Sequence, residues 1–488
     1  MKINKQKIIT CILVVLITLL IYSPLLMGHY STDTYRLIEM GYEKYSIEYS
    51  LNDGRLFMYF IGQLAAKINI NIMTYVILLT FIALIISCIC VILLIKILKK
   101  YSNKEKICLI SLISYITIMN FMYLENLYFT ECIVMAISIM LYILAAYYLT
   151  ENENKLKTFL LVLVGVFCYQ GTINVFITFS FLFPIIKNKK INKQTLKNTI
   201  WALGISFVSI IINMIQIKIC GKYYGLEQTR TGGISKIPQN ILYIINHIDK
   251  ILIKSSELFP KYLFLAFLII IIGIIAIWDK KEKHHSINLA NIILISIIAI
   301  LSSIMINVFS LSSFGLGRMV FSVGALIGII YIYLYCVTDI LDKKTIFKYI
   351  MILLLIAYAI FNIYNTLDIL ISHRIANKLD KKEALQANEY IQEYENETNQ
   401  KVKYIAVTYD NNITWTYNEL KHKSLYTHRA LMIWWCNVQT INYFGKRNLE
   451  KVRMPKDIYN EYFKGKNWDS LNREQFVFKG DTLYYCVY

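Results

Sequence analysis

Long stretches of this chain carry no Asp, Glu, Lys or Arg, and a segment of that kind has few places to go. In hydrocarbon every backbone N–H and C=O must be satisfied inside the segment, so it folds as an α-helix; about 20 apolar residues then cross a bilayer. Such runs recur, near 8–27, 71–95, 107–122, 132–149, 198–217, 262–278, 287–307, 319–338 and 349–370. The whole chain is 57% hydrophobic and 17% charged, where soluble domains carry roughly 25% charged residues. That composition excludes a disordered, collagen-like or nucleic-acid-binding protein. The first run follows Lys2, Lys5 and Lys7 as a signal peptide would, but no small-residue cleavage site follows it, so it reads as an anchor.

The stretch 156–186 is too long for one ordinary span and short for two, with Cys168, Tyr169, Gln170 and Gly171 in its middle. Charge parity resolves it. Lys155 and Lys157 precede it, while Lys187, Lys189, Lys190, Lys193 and Lys197 follow; the positive-inside rule puts both groups in the cytoplasm. An even number of crossings must lie between them, which predicts two short helices joined at an outer turn of Tyr169, Gln170 and Gly171. The clusters Lys96 to Lys106, Lys280 to Lys283 and Lys343 to Lys348 fall on the same side. Eleven crossings follow, with a cytoplasmic amino terminus in the inner membrane. The excess of 51 basic over 32 acidic residues is then a topology signal and not a polyanion-binding surface.

From about 371 onward charges become frequent and apolar runs shorten to strand length. The expected organisation is an all-α polytopic module over residues 1–370 and a small extracytoplasmic α/β or α+β domain over 371–488. Within the latter, 384–397 reads as a helix, 403–407 and 475–478 as strands, and Asp410-Asn411-Asn412 as a turn. No internal repeat is evident. Most of the ten cysteines sit in or beside apolar runs as small hydrophobes; Cys436 and Cys486 share the outer domain, where a disulfide is chemically permitted. No metal-ligand spacing and no phosphate-binding fingerprint appear, so neither a metal nor another cofactor is expected.

Chemistry on such a chain would concentrate in the connections facing away from the lysines. The first reads His29-Tyr30-Ser31-Thr32-Asp33-Thr34-Tyr35-Arg36 and ends on Asn52-Asp53-Gly54-Arg55. Ser31 or Thr32 can cap a helix starting near Asp33, which places Asp33 and Arg36 one turn apart on one face. The bland alternative is a surface ion pair and an ordinary turn, yet both acids have an Arg close by, and Glu125-Asn126 repeats the pattern at another span end. Glu131 reads as a helix start, where the dipole favours an acid. Gln170, costly in an apolar hairpin unless hydrogen-bonded, is either an interhelical contact or a ligand group. Arg230 and Arg318, in outer connections, suit bidentate phosphate contacts.

This constellation of Asp33, Arg36, Asp53-Gly54-Arg55, Glu125-Asn126 and the Tyr169-Gln170 turn resembles the GtrII-type glucosyltransferases, polytopic bacterial membrane proteins of the GT-C superfamily, over roughly residues 8–370. The resemblance implies transfer of a sugar, a glucosyl group by the family's name, from a polyprenyl-phosphate carrier to an envelope glycan at the outer face of the cytoplasmic membrane. It implies Asp33 as the base, with Asp53 as runner-up; Arg36, Arg55, Arg230 and Arg318 for the carrier phosphate; and Glu125, Asn126, Tyr169 and Gln170 for sugars. Tyr30, Tyr35 and Tyr128 are eligible for stacking on a sugar. The rival is a flippase that moves a lipid-linked sugar without making a bond. Transporters carry ionisable residues near the midplane, whereas here charges cluster at span ends.

Overall fold

The computed structural model describes residues 5–102, 104–151, 154–226, 234–282, 287–309 and 315–488. Lys2, Arg230 and Lys283 lie outside them. The fold is mostly helical with one small sheet. Among the described residues six helices are long and apolar enough to cross a membrane: Ile72–Ser102, Cys132–Glu151, Lys193–Tyr224, Leu263–Lys281, the run Ile287–Phe309 and Ile346–Thr398. A further pair, Lys155–Thr172 and Asn174–Asn188, is bent by 113° at its break. Shorter apolar helices run Ile8–Ile21, Leu56–Ile68, Ile107–Ile118 and Leu326–Val337. The chain divides into two compact units, one of residues 1–23, 46–70 and 78–367, the other of 24–45, 71–77 and 368–488.

In the larger unit Cys132–Glu151, Asn174–Asn188 and Leu326–Val337 are the most deeply enclosed helices. Their polar side chains pair across helices, as where Thr178 Oγ1 meets Ser302 Oγ at 3.0 Å and Ser322 Oγ at 3.1 Å; a hydroxyl among apolar helices is kept where it has such a partner. Around them Lys193–Tyr224, Leu263–Lys281 and Ile287–Phe309 turn Ile200, Phe207, Ile269, Ile277 and Leu301 outward. A continuous exposed apolar face of this extent requires a non-aqueous surrounding, so this is a multi-pass membrane protein.

Lysines expected on one side do meet at one end of this unit. Lys104 Nζ donates to Tyr335 O at 2.7 Å and Lys189 Nζ to Tyr101 O and Cys336 O, both at 2.7 Å. Asp342 pairs with both Lys104 and Lys106, and Glu151 with Lys100 and Lys187. Glu151 closes the 20-residue helix that starts at Cys132, beside Glu131. At 1.5 Å per residue the two ends of that helix lie about 30 Å apart, the thickness of a bilayer's hydrocarbon.

The smaller unit holds the helix Thr32–Tyr45, the later part of Ile346–Thr398, and four strands: β1 (Tyr404–Tyr409), β2 (Glu450–Lys451), β3 (Phe476–Lys479) and β4 (Thr482–Val487). Their order is β2-β1-β4-β3, parallel except for the β3/β4 pair. Ala384, Ala387 and Ile391 form one core with Ile405, Leu483 and Tyr485. The helix expected over 384–397 is the end of a continuous 53-residue helix, because no Gly or Pro interrupts the run where its composition changes. Cys436 and Cys486 are free thiols buried in different clusters, and no disulfide joins them. Arg429, fully enclosed, pairs with Glu383 at 3.1 Å and lies 4.4 Å from the rings of both Tyr417 and Tyr488. A charge so deep persists only when paired and hydrogen-bonded.

Candidate active site

Backbone geometry sets the first group. Residues 52–54 turn between the π-helix Ser46–Leu51 and the helix Leu56–Ile68. Gly54 has φ +80°, and a Cβ there would stand 2.6 Å from the Asn213 amide; both conditions demand glycine. Asn213 Nδ2 donates to Gly54 O at 2.8 Å and Gln216 Nε2 to Leu51 O at 3.2 Å, so two amides on a long apolar helix hold the turn. The guanidinium of Arg55 is thereby set between two carboxylates. Its Nη1 lies 3.2 Å from Glu131 Oε1 and its Nη2 3.6 Å from Asp53 Oδ2. Tyr169 presents its ring 5.4 Å from the same guanidinium, and Gln170 Nε2 donates to Asp53 O at 2.9 Å. Asp53, Arg55, Glu131 and Tyr169 are all buried.

The second group is built on the short helix Tyr123–Tyr128, started by Asn120, whose Oδ1 accepts from Met122 N at 3.0 Å and Tyr123 N at 3.2 Å. Glu125 Oε1 accepts from Arg318 Nη1 at 2.8 Å, and Oε2 from Gly317 N at 2.5 Å. Gly317 admits no side chain: a Cβ would meet Leu258 Cδ1 at 2.5 Å, Glu125 Oε2 at 3.0 Å and Met122 O at 3.2 Å. Arg318 lies over the Phe129 ring at 4.2 Å. Asn126 Nδ2 reaches Arg318 O at 3.5 Å, while its Oδ1 is enclosed without a hydrogen-bond partner. Burial pushes the Glu125 carboxyl above its ordinary range, against the pull of the Arg318 charge and the backbone N–H groups of Gly317 and Arg318. Desolvation outweighs the pairing here.

Asn174 joins the two groups. Its Nδ2 donates to Gly171 O at 3.0 Å and to Met319 O at 2.9 Å, and its Oδ1 accepts from Ser322 N at 3.0 Å. The Tyr169–Gln170 turn and the Gly317–Arg318 turn are therefore tied through one side chain. This joins Asp53, Arg55, Tyr169, Gln170, Glu125, Asn126 and Arg318 in one connected array of the larger unit, beside Glu131 and so at the opposite end of the Cys132–Glu151 helix from Lys100 and Lys187.

Asp33 and Arg36 belong to the smaller unit. Ser31 caps their helix: its Oγ accepts from Thr34 N at 3.2 Å, and its own N donates to Thr34 Oγ1 at 3.1 Å. Asp33 occupies the first turn, half-buried, and Arg36 lies 5.9 Å from the Trp435 ring. Tyr35 and Tyr128, eligible for stacking on a sugar, are sealed in the interior, so neither has an open face. Tyr30 remains half-buried, stacked on Tyr35 at 5.4 Å.

Three residues escaped sequence reasoning. Glu131 does more than start a helix, since it shares Arg55 with Asp53. Asn174 and Asn213 lie inside apolar runs, and that was the available signal: an amide there is costly unless bonded. Among the described residues no cluster of three or more His, Cys, Asp or Glu is arranged to hold a metal ion.

Residues 22–335 match the family model described as Glucosyl transferase GtrII. No curated protein and no solved structure matches the chain.

Proposed function

The chain belongs to the GtrII glucosyl transferase family and is a membrane glycosyltransferase, and from that premise we propose that it moves a sugar from a polyprenyl-phosphate carrier to an envelope glycan on the outer face of the cytoplasmic membrane. The observation that carries this is the buried carboxylate and guanidinium array around Asp53, Arg55, Glu131, Glu125 and Arg318, at the opposite end of the Cys132–Glu151 helix from Lys100 and Lys187. A carrier held by its lipid tail enters such a site sideways, and its leaving group is a phosphate. The six long helices, the two arms of the bent pair and three short apolar helices, Ile8–Ile21, Ile107–Ile118 and Leu326–Val337, fit eleven crossings. The amino terminus is then cytoplasmic and the residues after 370 form an extracytoplasmic domain.

In this mechanism Asp33 accepts the proton of the acceptor hydroxyl as its oxygen attacks the anomeric carbon; the bond from that carbon to the phosphate oxygen breaks, and the phosphate leaves with the electron pair. Asp33 suits the base role better than Asp53, which is 7% exposed and within ion-pair distance of Arg55. Arg318 suits the phosphate better than Arg55, because its side chain is the more exposed of the two, 17% against 8%, and a positioned guanidinium stabilises charge developing on the leaving group. Arg55, shared by two carboxylates, holds the site in shape. Arg36 and Arg230 remain further phosphate contacts, and Glu125, Asn126, Tyr169 and Gln170 hydrogen-bonding groups for sugar. Asp33→Asn tests the assignment: membranes supplied with labelled polyprenyl-phosphate sugar should lose transfer at unchanged protein level. Turnover equal to wild type would remove Asp33 from the role, and carrier movement without any transfer product would make the protein a flippase.

A further inference from the structure

The smaller unit carries a feature that the transfer step does not use. Trp434 is 63% exposed and meets Trp435 edge to face, with ring centroids 5.6 Å apart at 89°. Lys451 donates to Trp434 O and lies 5.5 Å from its ring. Trp435 is packed against the cluster of Tyr35, Ala430, Ile433 and Cys436, and Arg36 lies 5.9 Å from its ring. Asp33 lies one turn before Arg36 on the helix Thr32–Tyr45, so the carboxylate is one helical turn from the guanidinium that faces Trp435.

We propose that the Trp434–Trp435 step, with Lys451 and Gln439, is a carbohydrate-binding subsite that holds the acceptor glycan beside Asp33. An exposed indole next to a cation offers an apolar face for the C–H side of a pyranose, rimmed by donors and acceptors for its hydroxyls. Two enclosed polar atoms point the same way: Trp435 Nε1 and Gln439 Oε1 have no hydrogen-bond partner. A buried donor and a buried acceptor left open four residues apart are costly unless something supplies the missing bonds, and a sugar hydroxyl can supply both kinds. An indole at the membrane interface would serve as an anchor, yet that role gives no use to the unfilled amide and indole N–H.

The inference rests on the transferase reading, and the test separates the two. Full-length protein in detergent micelles is titrated, without donor, with oligosaccharides released by mild acid from the producing cell's envelope polysaccharide, and binding is read by saturation-transfer NMR. Trp434→Ala should weaken binding about tenfold, the loss of roughly 1.4 kcal/mol, and raise the KM for acceptor but not for donor. Trp434→Phe should recover most of it. Asp33→Asn should bind as wild type while losing transfer. Unchanged binding in Trp434→Ala, or no binding by the wild type, overturns the subsite and leaves the transferase standing; binding without transfer in the wild type does the reverse. Quenching of indole fluorescence by brominated lipid in wild-type nanodiscs that is lost in Trp434→Phe, together with glycan binding unchanged in Trp434→Ala, would make the step a membrane anchor and also overturn the subsite.

Discussion

Replacing Arg55 with Met tests whether the buried trio is one unit. At an effective dielectric of about 20, contacts of 3.2 Å to Glu131 and 3.6 Å to Asp53 correspond to gross attractions of about 5 kcal/mol each. Desolvation of three nearly enclosed groups cancels much of this, and the mutual repulsion of the carboxylates removes more. What survives is the asymmetry: deleting the cation strands two buried acids, a loss of about 3–5 kcal/mol. For a chain of this size that lowers the melting temperature on the order of 5–10 °C. Differential scanning fluorimetry in detergent on Arg55→Met, on Asp53→Asn with Glu131→Gln, and on the triple variant completes the cycle. The triple variant should melt well above Arg55→Met, because neutral amides beside a thioether leave no stranded charge. If Arg55→Met melts within about 1 °C of wild type, or the triple variant no higher than Arg55→Met, the trio is not coupled.

Gly317→Ala should lower stability by about 1–3 kcal/mol through overpacking and cut transfer by more than tenfold, since the new methyl displaces Glu125 from Gly317 N; activity equal to wild type would show that this contact is dispensable. His29 is buried beside His373, with Nδ1 3.3 Å from the other ring's Nε2, and burial holds its pKa down to about 3. The unfolded chain therefore takes up that proton first, so stability is lost as pH falls from about 6.5 toward 3, by about 1.4 kcal/mol per unit where only the unfolded state is protonated. A melting profile between pH 7 and 4 should be flatter in His29→Gln, and an identical slope would assign the acid sensitivity to other groups. Cys436 and Cys486 should resist alkylation until the protein is denatured, when all ten thiols take up reagent; a denatured product with Cys436 and Cys486 unlabelled and the other cysteines labelled would reveal a disulfide instead.

Local features were legible because they need only neighbours along the chain. The Ser31 cap, the break at Gln170 and the strands beginning near 404 and 476 follow from side chains within a few positions. The span ends likewise follow from where charges begin. Arg55 was legible as a charge near a membrane end, but not as the ligand of Glu131, 76 residues on. The same distance in sequence hid the amides of Asn174 and Asn213, whose partners are turns far along the chain. Trp434 and Trp435 stayed silent because an aromatic pair in a tail has no meaning until its surroundings are known.

Sequence alone determined that the chain must live largely in a bilayer, since hydrocarbon tolerates no unsatisfied backbone and these runs carry nothing else to offer water. It also determined where acids and arginines accumulate. Tertiary structure decided how they pair: it made Arg55 a buried tie shared by Asp53 and Glu131 and set Arg318 against Glu125, and within the smaller unit it brought Arg36 to Trp435. Pairing energies depend on distance and local dielectric, and neither quantity exists until remote segments have come together.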